Sequence, residues 1–198
     1  MKNLFLLFCL TAPIFGAYGQ KIQQTGNLSP LKGEKILNIQ YVYDGVLVGK
    51  LSEPEYITKK VTEYNADEAG KGDKWKESWK NDRKEKYQPK FEELFNKYIE
   101  PVGMTAKEGA TAKYTVVVYT KMIEPGFNVG VARRPAFINV VVDIVETSNP
   151  SNSIAKFTID KVPGGGAMGY DFDSGFRISE GYAKLGKALG SYIAKKIK

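Results

Sequence analysis

The sequence predicts an α/β domain of the α+β sandwich kind. It is expected to hold a mixed sheet of about four to five strands, with helices packed mainly on one face. Three observations carry that expectation. Strand-like runs, alternating or continuously apolar, occur at residues 35–50, 114–121, 136–147 and 154–162. Segments of helical period, 73–99 and 177–197, separate and follow them. The 198 residues are 42% hydrophobic, enough for one core, and show neither an internal repeat nor a low-complexity linker.

Taken in order, residues 1–20, MKNLFLLFCLTAPIFGAYGQ, read as a secretory signal peptide. Lys2 supplies the basic start, Leu4 to Leu10 the apolar stretch, and Ala17-Tyr18-Gly19 a small-x-small end. The stretch is too short to span a membrane, so no transmembrane segment is expected in the mature chain. Its removal takes the single cysteine, Cys9, and the chain contains no histidine. Disulfides and Ser–His or Cys–His nucleophiles are thereby excluded, and stability must come from packing. Cys9 follows Leu6-Leu7-Phe8, which places a lipobox leucine correctly, but Phe8 is not small. Free export is therefore favoured over lipid anchoring. The expected location is periplasmic or extracellular, with outer-membrane association left open.

Residues 21–34 are polar, with Gly26 and Pro30, and read as a loose leader to a single α/β domain over 35–198. In KILNIQYVYDGVLVGK, Leu37, Ile39, Tyr41 and Tyr43 alternate with polar residues as in a half-buried strand, and Asp44-Gly45 bends it. Ser52, Pro54 and Glu55 make a helix start with capping-box spacing. Residues 65–72 read as a loop around Gly70 and Gly72. From Asp73 to Ile99, Trp75, Trp79, Tyr87, Phe91, Leu94, Phe95 and Tyr98 form a helical stripe interrupted by Pro89, which predicts a kink or two helices. The mixed Lys and Glu of its other face read as a solvated surface. Tyr114 to Lys121 is a strongly apolar strand. Ala136 to Thr147 and Ile154 to Val162 should pair antiparallel across the turn between them. The last helix carries Ile178, Tyr182, Leu185, Leu189, Ile193 and Ile197 on one stripe.

The candidate site is the glycine-rich loop from Pro163 to Gly175, with Gly164, Gly165 and Gly166 ahead of the last helix. Such amides suit an anion at a helix N-terminus, but the P-loop lysine and hydroxyl and the dinucleotide fingerprint are missing, which favours a connector. Asp171 and Asp173 echo the opening of a calcium loop without its later glutamate, and Asp173 serves equally as a helix cap. Arg133 and Arg134 can meet a phosphate or carboxylate, or stay solvated. Trp75 and Trp79 form either a sugar-stacking platform or a packing face, and their exposure separates the two readings. Gly186 and Gly190 read as a close helix–sheet approach. The basic last helix allows peripheral contact with an anionic surface, although its apolar stripe is better explained as core. The net charge of +7, of which Lys2 contributes one, predicts solubility rather than a nucleic-acid partner. No cofactor and no metal is expected.

The run of YTVVVYTK, AFINVVVDIVET, IAKFTIDKV, a glycine-rich turn and RISEGYAKLGKALGSYIAKKI resembles small exported bacterial domains of the DUF4410 and DUF4136 kind. Those are similar in fold to the N-terminal domain of TolB and to CsgG-like proteins. The resemblance spans roughly residues 112–198 and implies a binding or assembly role at the cell envelope, with an envelope protein or ligand as partner and no catalytic motif. The residues themselves point to a non-enzymatic module. A carbohydrate or small-ligand module is the second reading, and an enzyme using Asp171 or Asp173 the third.

Overall fold

The computed structural model describes residues 22–165 and 173–198. The expected signal peptide, Gly166 and Asp171 lie outside the described residues.

The architecture is mixed α/β, with a sheet larger than expected: eight strands instead of four to five. The strands are β1 (Ile22–Gly26), β2 (Ile36–Val42), β3 (Leu47–Val48), β4 (Leu51–Ser52), β5 (Thr105–Glu108), β6 (Tyr114–Glu124), β9 (Phe137–Glu146) and β10 (Asn149–Pro163). Two further strands, β7 (Phe127–Asn128) and β8 (Arg133–Arg134), form a separate hairpin. The main order is β1-β10-β9-β6-β2-β5, with β3 beside β6 and β4 beside β3. β9 pairs antiparallel with both β6 and β10, while β2 runs parallel to β5 and β6.

The short strands are the ones the sequence hides. Residues 22–26 are not a loose leader but an edge strand on β10, with Ile22 opposite Ile159. The turn after it buries Leu28 and Leu31 in the core. An edge strand faces water on several sides, so a polar composition such as Gln23-Gln24 is compatible with it. The uneven apolar spacing before Val162 also has a cause. A bulge sits between Ile159 and Val162, where Lys161 adopts φ 51° and its amide donates to Asn139 Oδ1 at 2.8 Å.

Helix α1 (Glu53–Asp67) opens on the expected capping box. The Glu55 amide donates to the Ser52 hydroxyl, and the Ser52 amide donates to the Glu55 carboxylate. The predicted loop over 65–72 shrinks to residues 68–70, because α2 (Lys71–Asp82) starts early and the Gly72 amide donates to Asn65 Oδ1. Helices α2 and α3 (Gln88–Ile99) are joined through a π turn, Arg83–Tyr87, in which the Gln88 amide reaches the carbonyl five residues back, on Arg83. Pro89 cannot donate to the carbonyl four residues before it, and the wide turn absorbs that loss without ending the helix.

The last helix, α4 (Ser174–Ile197), buries its predicted stripe. Its Leu185 and Leu189 share one core with Phe91 and Phe95 of α3 and with Ile138, Val140, Val142 and Ile144 of β9. Gly186 and Gly190 serve a helix–helix approach to α3, not the expected helix–sheet approach. A Cβ on Gly186 would stand 2.4 Å from the Phe91 carbonyl oxygen. At the far edge of the sheet, α3 saturates β5. Asn96 accepts the Ala106 amide at 2.7 Å and donates to its carbonyl at 2.8 Å, and the Glu108 backbone hydrogen-bonds Glu92 one turn earlier.

Candidate functional site

A cleft of about 420 Å³ opens where α1, α2, the π turn and the start of α4 meet. The sequence builds it from one helical stripe. Trp75, Trp79, Asp82 and Lys86 follow at steps of four, three and four, so they share a face. Tyr64 from α1 and Asp173 from the α4 cap complete the walls.

The aromatic wall has two layers. Trp79 is buried, and its Nε1 donates to Glu53 Oε1 at 2.8 Å. The same carboxylate takes Arg83 Nη2 at 2.5 and 2.6 Å, which fixes the indole from behind. Trp75 is half-buried and stacks on Trp79 with centroids 5.6 Å apart and planes at 28°. Tyr64 packs against Trp75 with centroids 5.7 Å apart and planes tilted at 56°. Only one indole of the pair therefore offers surface, and it is held rigidly.

The polar floor is a charge cluster. Lys86 Nζ lies 2.7 Å from Asp82 Oδ1 and 3.7 Å from Asp173 Oδ2. Asp82 is buried. Burial raises its carboxyl above the usual aspartate range, and the nearby Asp173 charge adds to this, while Lys86 opposes it. Burial would lower the Lys86 ammonium, but the hydrogen bond and charge of Asp82, with Asp173, raise it instead. Asp82 fits against α4 because Gly175 has no side chain; a Cβ there would stand 2.1 Å from Asp82 Oδ2. The cleft thus offers a fixed aromatic face, carboxylate acceptors from Asp82, Glu85 and Asp173, and an ammonium donor. Such a set grips a polar, hydroxyl-bearing ligand by stacking and hydrogen bonds.

The predicted site residues separate. Asp173 caps α4, accepting from the Gly175 and Phe176 amides, and also reaches the cleft. The Gly164 and Gly165 amides donate to the carbonyls of Ala136 and Arg177, so neither is turned toward an anion. Gly166 and Asp171 are outside the described residues. Arg133 and Arg134 lie on the exposed β8, with Arg134 3.3 Å from Glu124 Oε2. Asp82 and Lys86 were missed by the sequence reading. Their spacing from Trp79 was visible, but they sit inside a charged run that reads as solvent-facing. The π turn also hands the buried stripe from this row to Tyr87.

No family model matches the chain, and no curated protein matches it. The expected resemblance to DUF4410 and DUF4136 domains gains no support from either comparison. Among solved structures, the PelC dodecamer from Paraburkholderia phytofirmans is 9% identical, with 87% of this chain and 94% of that chain covered at a TM-score of 0.38. A point variant of the same dodecamer is 10% identical, with 83% and 95% covered at 0.35. A DUF330 protein from Xanthomonas campestris is 7% identical, with 89% and 93% covered at 0.37. Likeness at that level is one of outline, and nothing is carried from those proteins to this chain.

Proposed function

We propose that this protein is an exported, non-enzymatic envelope module that binds a carbohydrate or similar polar ligand in the α1–α2–α4 cleft. One observation carries the reading: Trp75 presents a half-buried, firmly backed indole beside the carboxylates of Asp82 and Asp173. A partly exposed indole in a cleft that carboxylates also line matches the two needs of a sugar, an apolar face and hydrogen-bonding acceptors. Chain chemistry supports binding over catalysis, because the mature sequence offers neither imidazole nor thiol.

The test is a glycan array followed by calorimetry on the positive probes. Retained binding should fall by about tenfold or more in Trp75→Ala, in line with loss of an aromatic anchor, while the fold is kept. Saccharide binding that ignores Trp75→Ala would remove the cleft from the proposal. Hydrolysis of a broad substrate panel that disappears in Asp82→Asn would replace a binding module with an enzyme. Fractionation of the native host tests export, with a cytoplasmic pool as the contrary result.

A further inference from the structure

The β7–β8 hairpin is an apolar finger on a basic base. Of the five large apolar side chains that stand exposed among the described residues, three are on it: Phe127 at 44%, Val129 at 65% and Val131 at 101%. A fourth, Leu47 at 46%, lies on β3 at the same end of the sheet, paired with Met122 of β6. Water-exposed apolar groups concentrated at one pole are a contact surface rather than scatter.

The finger is built to stand. Phe127 pairs with Arg134 and Asn128 with Arg133. Its turn is closed by the Val129 amide donating to the Ala132 carbonyl at 3.0 Å and by the Gly130 amide donating to Asn128 Oδ1 at 3.1 Å. At the root, the buried Arg177 of α4 donates from Nε to the Pro125 carbonyl at 3.1 Å and from Nη2 to the Gly126 carbonyl at 3.2 Å. A cation below the surface is thus spent on holding the finger's backbone. Arg133 follows Val131 by two residues, about 7 Å along a strand, and Lys50 stands exposed in the neighbouring β3–β4 turn. Arg134 pairs with Glu124 at the root, and Arg133 and Lys50 add two further basic side chains at this end.

We infer that this hairpin inserts Val129, Val131 and Phe127 into the interface of an anionic lipid bilayer, with Arg133 and Arg134 at the level of the phosphates. The spacing suits an interfacial depth of roughly 5–10 Å, and the charge suits acidic headgroups. A second protein copy fits less well. Three side chains on a hairpin of two-residue strands offer far less than the roughly 800 Å² per partner of a stable protein interface. The contact is peripheral, since no helix of the described residues is long and apolar enough to cross a membrane. It is independent of the cleft and its ligand.

Sedimentation of the purified protein with vesicles tests the inference. The protein should pellet with phosphatidylethanolamine–phosphatidylglycerol vesicles, weaken with added salt and ignore phosphatidylcholine vesicles. Val129→Asp with Val131→Asp should cut the affinity by about tenfold or more and leave circular dichroism and melting unchanged, because both side chains face solvent. Arg133→Ser with Arg134→Ser should abolish the preference for anionic lipid. Absence of vesicle binding, or binding untouched by the tip variants, overturns the inference. So does tip-dependent self-association without lipid.

Discussion

Asp82 carries the sharpest single-residue expectation. Burial holds its native carboxyl above its unfolded value, so the native state binds the proton more tightly than the unfolded chain. The stabilisation from that proton is complete below the unfolded value of about 3.9 and is lost as pH rises through the higher native one. Asp82→Asn has no such titration. Urea unfolding of both proteins across that window should show the wild type losing stability relative to the variant, then levelling. A wild-type carboxyl carbon that titrates by NMR in the ordinary aspartate range would contradict this. The sequence made some residues plain and hid others. Ser52 and Glu55 were legible because a capping box is a local pattern whose partners lie within one turn. Asp82 and Lys86 were not, since a Lys and an Asp four apart look alike whether they face water or a cleft.

Among the elements, those with a strong period were readable and those defined by their neighbours were not. The β6, β9 and β10 strands and the α4 stripe announce themselves by apolar content. The two-residue β3, β4, β7 and β8 and the polar β5 exist only because another strand lies alongside, and no local pattern reports that. The GxxxG step in α4 was visible, but its partner was not, because spacing says how close a helix can come and not to what. With α3 as that partner, Gly186→Ala has nowhere to place its methyl except against the Phe91 carbonyl. We expect a loss of about 1–3 kcal/mol, read as a fall in melting temperature of several degrees. Gly190→Ala, whose nearest contacts stand at 2.9 Å, should cost less. Equal melting of Gly186→Ala and wild type would disprove the tight helix–helix seam.

The whole molecule depends on residues the sequence relegated to a leader. Removing residues 1–26 would uncover the outer edge of β10, beside Phe157 and Ile159, and break the Tyr192 hydroxyl bond to Gln24. We expect lower solubility and a lower unfolding midpoint than for the chain trimmed after Gln20, measured by chemical denaturation; matching midpoints would return β1 to the status of a leader. The two ends of the sheet then differ in kind. Asn96 and Glu92 already hydrogen-bond the outward backbone of β5 at Ala106 and Glu108, whereas among the described residues β1 pairs with β10 alone. Strand addition at β5 therefore has to displace the α3 side chains of Asn96 and Glu92. Of these two ends, β1 is the one where a neighbouring strand could add without displacing a helix side chain from the backbone.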